Sequence, residues 1–366
     1  MPLELTTAGE SHGPALIALI TGLPAGLELD RASIDEDLRR RQQGYGRSPR
    51  QKLESDKVEV LTGLRQGRTL GTPLTLLVTN RDHKNWTWGM NPWPPEGEQH
   101  GKGTKPVTLP RPGHADLAGV MKYELGDVRN ALERASARHT AANVAAGGVA
   151  KALLAAIGAR VESSVVAVGG AEGEDAIRAA IDDARAARDT LGGTIEVTVT
   201  GLPPGLGSYA TKFDRLDGKL AWTLLATQAV KAVEVGDGLD LASAPGSAAH
   251  DEIFRNDDGF YRESNRAGGL EAGITNGEPV IVRCSMKPLP TLMRPLRSVD
   301  LETKEAGNAL VERSDVSAVE ALAVVAEAAV AFEVAVAARD KFGGDSIGDF
   351  VAAHKAYVER IDWSPH

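Results

Sequence analysis

Cysteine is nearly absent from this chain of 366 residues: Cys284 stands alone, which excludes an intramolecular disulfide and any cysteine metal cluster and fits a reducing cytosol. Aromatic residues are 4 % of the sequence while glycine occurs 40 times, so the core must rely on small side chains and close backbone approach rather than large rings. A basic excess is lacking too. Lys and Arg number 41 against 50 Asp and Glu, and a net charge of −9 argues against a nucleic-acid or anionic-membrane partner. No apolar run reads as membrane-spanning and the amino terminus has no signal-peptide pattern, so the expectation is a soluble cytoplasmic protein. No Gly-x-Gly-x-x-Gly fingerprint follows a strand, which argues against a Rossmann domain.

What is present reads as alternating α and β elements. Strands are expected over residues 15–21, 58–62, 72–79, 161–168, 194–200 and 278–286, each bounded by turn residues. Ser33 with Glu36 and Ser317 with Glu320 have capping-box spacing, placing helix starts near Ile34 and Ala318. The two longest helices are expected over 130–157 and 318–339, both dominated by alanine and valine and therefore buried. Pattern alone leaves open whether they form a central layer between sheets or lie on one face of a sheet. No linker divides the chain, so 1–366 reads as a single domain. Residues 83–110 hold three of the five tryptophans, Trp86, Trp88 and Trp93, among prolines and glycines. Such a loop reads as a lid over a site or as an oligomer contact.

Two histidines occupy glycine-flanked turns about a hundred residues apart, in Gly9-Glu10-Ser11-His12-Gly13 and Arg111-Pro112-Gly113-His114-Ala115-Asp116. Imidazole titrates near neutral pH, so both are candidates for acid or base work, although a histidine in a turn is more often merely solvated or hydrogen bonded. Arg39, Arg40 and Arg41 end a helix, and Gly44-Tyr45-Gly46 delivers Arg47. These cations either complement the helix dipole or fork onto phosphate or carboxylate oxygens. Arg134 and Arg138, four apart on one expected helix, either face solvent or share an anion.

These segments, together with Arg134-Ala135-Ser136-Ala137-Arg138-His139-Thr140, Gly268-Gly269-Leu270-Glu271-Ala272-Gly273, Lys287-Pro288-Leu289-Pro290-Thr291 and Arg313-Ser314-Asp315, closely resemble the chorismate synthases from Thr6 to about Ser346. The resemblance implies an α+β fold, a β-α-β sandwich in which a central layer of long alanine-rich helices is covered by antiparallel sheets. It implies a homotetramer and one reaction: anti-1,4-elimination of phosphate from 5-enolpyruvylshikimate 3-phosphate to give chorismate, the last common step toward the aromatic amino acids, with reduced FMN required and no net redox change.

By the same resemblance, Arg41, Arg47, Arg111, Ala137, Arg138 and Arg313 contact the substrate. Its two carboxylates and phosphate demand several cations. His12, beside Ser11, would protonate the leaving phosphate; His114 would protonate the reduced flavin or stabilise its negative charge; Asp315 would assist removal of the C6 proton by flavin N5. Flavin contacts fall on Arg134, Ala135, Ser136, Gln228, Ala229, Ala272, Lys287, Pro288, Leu289, Pro290, Thr291 and Arg313. No metal is implied. Three positions depart from the family pattern: His139 stands where glutamate is common, Ala272 where glycine is usual, and Ser317 where cysteine is frequent. Other classes stay open: an FMN-dependent NADPH flavin reductase, with Arg41 and Arg47 on the NADPH 2′-phosphate, or a non-catalytic flavin or phosphometabolite binding protein.

Overall fold

A computed structural model describes residues 1–47, 55–93, 96–97, 100–256, 259–310, 315–361 and 363. The first half runs β1 (Glu4–Ala8), β2 (Ala15–Thr21), α1 (Arg31–Gln42), β3 (Val58–Thr62), a small hairpin of β4 (Leu64–Arg65) and β5 (Arg68–Thr69), and β6 (Leu74–Thr79). Four of these strands form an antiparallel sheet in the order β1-β2-β6-β3. Helices α2 (Asp116–Tyr123), α3 (Val128–Ala135) and α4 (Thr140–Ala155) follow.

Next come β7 (Arg160–Val168), β8 (Ala171–Glu172), α5 (Glu174–Ala186), β9 (Gly193–Thr200), α6 (Leu216–Leu225), β10 (Val230–Val235) and the short α7 (Gly246–Ala249). Two hairpins, β11 (Phe254–Asn256) with β12 (Gly259–Tyr261) and β13 (Leu270–Glu271) with β14 (Ile274–Thr275), precede β15 (Val280–Met286). The hairpin β16 (Arg297–Val299) with β17 (Ala306–Asn308) leads to α8 (Val319–Phe342) and α9 (Ile347–Ile361). The second antiparallel sheet has the order β10-β15-β9-β7-β8.

All six expected strands form within two residues of their expected bounds; β1, β8, β10 and the strands of the small hairpins are additional. Period-two burial explains them. On β15, Val280, Val282, Cys284 and Met286 are buried while the residues between are partly open. The strand interiors share one hydrophobic cluster with α4 and α8. Helix α4 contacts β1, β2 and β6 of the first sheet, α8 contacts β7 and β9 of the second, and α4 and α8 pack on each other.

Small residues make that helix contact possible. A Cβ at Gly147 would overlap Ala328 of α8, and one at Gly148 would press on Ile34 of α1. A buried charge cluster adds direction. Glu327 on α8 accepts from Arg40 NH1 and NH2 at 2.9 and 3.0 Å, from Ser163 Oγ at 2.6 Å, and from Lys151. Burial pushes its pKa up, but the Arg40 hydrogen bonds and Lys151 outweigh burial and hold it low. The cluster pins α1, α4 and β7 to α8, with Arg41 next in line.

Four sequence expectations are corrected. The helix expected over 130–157 breaks at Ser136, whose backbone is extended (φ −62°, ψ 140°). Its hydroxyl accepts from the Arg138 amide at 3.3 Å and starts a new turn, Ala137–His139, so Arg134 and Arg138 do not share a helix face. Helix α1 starts at Arg31 rather than Ile34: Asp30 caps it by accepting from Ala32 N and Ser33 N, and Glu36 binds Arg39 instead of reaching back. At α8 the Ser317 hydroxyl accepts from Val319 N at 3.4 Å, while Glu320 accepts from Tyr45 N at 2.7 Å, so that capping box is not closed. Finally, α8 is long and apolar enough to cross a membrane by length and composition, with a mean hydropathy of 2.0 in its most apolar 18-residue window. Yet 83 % of that window is buried inside the protein, as in a core helix.

Candidate active site

A cavity of about 500 Å³ opens where the β1–β2 turn, the end of α1, the α3–α4 junction and the start of α8 meet. Its wall includes Ser11, His12, Arg41, Arg47, Arg111, His114, Ala135, Ser136, Ala137, Arg138, Gln228, Ala229, Lys287, Leu289, Pro290, Thr291 and Asp315. Seventeen residues singled out from the sequence thus converge on one place. Arg134, Pro288 and Ala272 do not line it. Arg134 instead donates to the Thr7 and Gly9 carbonyls, and Ala272 sits in the β13–β14 turn. Arg313 lies outside the described residues.

His12 is held on three sides. Its amide donates to Glu133 Oε2 at 2.8 Å and its Nδ1 lies 2.9 Å from Glu133 Oε1. Because Nδ1 faces a carboxylate it carries the proton, so any proton exchanged with a ligand moves at Nε2. Trp86 stacks on the imidazole with ring centroids 3.9 Å apart, and the Arg129 guanidinium lies 4.8 Å from the Trp86 ring centroid. His83 Nδ1 is 2.9 Å from the His12 carbonyl. The tryptophan-rich loop therefore begins as a short helical turn, Arg81–Asn85, docked against His12. Burial raises the Glu133 pKa, but hydrogen bonding and charge from His12 more than offset it and hold the carboxylate low.

His114 has its own carboxylate. Its Nδ1 contacts Asp116 Oδ1 and lies 3.2 Å from Arg111 NH2. Asp116 is buried and also accepts from Arg111 N, Nε and NH2 at 3.0, 2.8 and 3.1 Å. Burial opposes its charge, but the bonds from His114 and Arg111 hold the pKa well below the usual carboxylate range.

The arginines are oriented before any ligand arrives. Arg138 forks onto Asp56 at 2.6 and 2.8 Å and donates to Asn80 at 2.9 Å. Arg41 lies 3.6 Å from the same Asp56 and donates to Thr140 Oγ1 at 2.9 Å and the Ala137 carbonyl at 3.1 Å. Arg47 pairs with Asp315 at 3.1 Å; burial lowers its pKa, and its Nε has no hydrogen-bond partner among the described residues. Among the described residues, four arginines and Lys287 line the cavity against one lining carboxylate, Asp315, so it is built for a multiply charged anion.

Sequence reading missed Glu133, Asp116 and Asp56 as partners. Asp116 had a signal, two residues after His114 in the same turn. Glu133 and Asp56 had none, because their partners lie far away in the sequence.

A family profile described as chorismate synthase matches residues 3–338. The chain belongs to the chorismate synthase family. Chorismate synthase from Geobacter sulfurreducens is 49 % identical, covering 98 % of this chain and 99 % of its own. That from Thermoanaerobacter pseudethanolicus is 50 % identical over 97 % and 98 %. A crystal structure of chorismate synthase aligns with a TM-score of 0.79 and 34 % identity, covering 99 % of both chains. Membership in the chorismate synthase family makes this chain a carbon–oxygen lyase acting on phosphate, and does not favour the flavin-reductase or pure binding alternatives.

Proposed function

We propose that the cavity binds 5-enolpyruvylshikimate 3-phosphate beside reduced FMN and eliminates phosphate to give chorismate. The observation that carries this is the pairing, in one cation-lined cavity, of two imidazoles each backed by a carboxylate: His12 with Glu133 and His114 with Asp116. The residues suit a flavin. The volume falls in the range of small-molecule and cofactor sites. Leu132, Met286, Leu289, Leu322 and Val325 offer an apolar wall, and Gln228 Oε1 is a buried acceptor with no partner among the described residues.

Substrate carboxylates and phosphate are matched to Arg41, Arg47, Arg111 and Arg138, whose existing ion pairs fix their orientation and reduce the side-chain entropy lost on binding. Arg313, by resemblance, joins them. His12 gives a proton from Nε2 to the leaving phosphate, while Glu133 stabilises the imidazolium and fixes its ring. Arg138 and Arg41 add charge where the phosphate departs. Ser11, whose hydroxyl accepts from Ser136 Oγ at 3.2 Å, lines the same wall. Reduced FMN, held by the residues named below, would supply electron density to the breaking allylic C–O bond and a base for the C6 proton. Asp315, aligned by Arg47, would assist that proton's removal, and His114, backed by Asp116, would neutralise the reduced flavin's charge. Ala135, Ser136, Ala229, Lys287, Leu289, Pro290 and Thr291 line the cavity and complete the flavin assignments there, with Ala137 on the substrate side; Arg134, Ala272 and Pro288 are flavin positions by resemblance alone.

The helix contacts support reading α4 and α8 as the central layer of a β-α-β sandwich within a single domain. Exposed Tyr209, Phe213, Trp222, Leu225 and Phe260 support assembly with further copies of the chain, a homotetramer by the resemblance. A cytoplasmic setting fits the buried free thiol of Cys284, which burial pushes up to about 12. The test is an anaerobic assay with 5-enolpyruvylshikimate 3-phosphate and chemically reduced FMN, following chorismate and phosphate together. Equimolar release, abolished with oxidised FMN, supports the reading; FMN binding without product contradicts it. Substituting NADPH plus oxidised FMN then asks whether the chain reduces its own flavin.

A further inference from the structure

His139 closes the back of the cavity through a neighbour. Its Nδ1 lies 2.9 Å from the Ser136 carbonyl oxygen, an atom that can only accept, so Nδ1 carries the proton. In the neutral ring Nε2 is then a lone pair. Gln228 Nε2, a donor only, lies 2.9 Å from His139 Nε2 and 3.2 Å from Nδ1. The carbonyl therefore fixes the tautomer, and the tautomer fixes which end of the Gln228 amide faces the imidazole. The other end, Oε1, is buried without a hydrogen-bond partner among the described residues, on a side chain that lines the cavity. A buried carbonyl oxygen without a donor costs free energy that a ligand N–H would recover.

We propose that His139 is a positioning residue: in its neutral form it holds the Gln228 amide so that Oε1 is presented to an N–H donor of the molecule bound in the cavity. This rests on the flavin reading, since the isoalloxazine ring carries such a donor. Protonation would put a second N–H at His139 Nε2, donor against donor. The amide would then turn over, giving Oε1 to the imidazolium and its NH2 to the cavity. The charged groups acting on His139 are Arg134 on α3 and Arg41 on α1, both cations that oppose its protonation. Burial first, and these arginines next, hold its pKa below the usual histidine value. The neutral form is therefore the resting state near neutrality. Ligand binding should weaken as pH falls through that lowered pKa, and bound ligand should depress the pKa further.

The experiment is FMN binding by fluorescence quenching between pH 5 and pH 8, on the full chain and on His139→Gln and His139→Leu. Glutamine keeps a side-chain acceptor and does not titrate; leucine removes the acceptor. For the parent, FMN affinity should fall about three- to tenfold from pH 8 to pH 5 in excess of any fall shown by His139→Gln, as expected for one hydrogen bond. His139→Gln should bind like the parent at pH 8, and His139→Leu should bind more weakly throughout. Histidine 15N shifts of the unsubstituted protein give a second readout: an Nδ1–H tautomer at neutral pH and an apparent pKa that drops when FMN is added. Parent and His139→Gln profiles that coincide, or an Nε2–H tautomer, overturn the inference and leave the flavin reading standing. No FMN binding by the parent at any pH overturns both.

Discussion

His12 and Glu133, 121 positions apart, are joined twice, once through the His12 backbone amide and once through its Nδ1. One carboxylate thus fixes both the turn and the ring it carries. Glu133→Gln keeps the shape but loses the charge that favours an Nδ1–H imidazole and stabilises imidazolium. Turnover should fall by a factor of about 10² to 10⁴, the range for general acids and their orienting carboxylates. FMN affinity, measured by fluorescence quenching, should stay within about twofold of the parent. A full-rate variant would remove Glu133 from the mechanism.

Asp116 makes a pH-dependent contribution to stability with a definite sign. Its folded pKa is depressed, so the stabilisation is present above the unfolded value of about 3.9 and is lost as pH falls through the folded value. Asp116→Asn breaks a buried pair with Arg111 and should cost about 3 to 5 kcal/mol at pH 7. Urea unfolding at pH 7 and pH 3 should show the gap between parent and variant narrowing at the lower pH. An equal gap at both would contradict the ion-pair account.

Gly147→Ala tests the helix contact. The new Cβ would overlap Ala328, so α4 and α8 must separate, at a cost of about 1 to 3 kcal/mol. Thermal unfolding should show a lowered Tm; an unchanged Tm would mean the helices tolerate a wider spacing.

Ala272 and Gly273 form the two-residue turn of the β13–β14 hairpin, both with positive φ, 51° and 79°. Alanine is strained there. Ala272→Asn, better suited to the left-handed region, should raise stability by up to about 1 kcal/mol in denaturant titrations. A destabilised variant would show that the alanine methyl makes a compensating contact.

Much of this was legible in the sequence where local pattern decides structure. The short apolar run of β2 and the partial alternation of β15 marked strands, and the alanine and valine content of α8 marked a buried helix. His12, His114 and most of the arginines were legible through motifs whose glycines and prolines announce turns. The break at Ser136 was hidden because alanine-rich flanks favour continuation, whereas the serine hydroxyl competes locally for the next turn's amide. Asp30 rather than Ser33 caps α1 because a carboxylate two residues before Ala32 reaches both free amides. Asp56 and Glu133 carry no local signature, since their roles are set by folding distant segments together.

The most direct test of the account is an anaerobic single-turnover experiment with reduced FMN, following phosphate release by the parent and by His12→Ala, with FMN affinity measured on both. The account predicts that phosphate release slows by at least about 100-fold in the variant while FMN binding is unchanged. Phosphate release at the parent rate from a fully flavin-loaded His12→Ala would contradict the assignment of His12 as the proton donor to the leaving group.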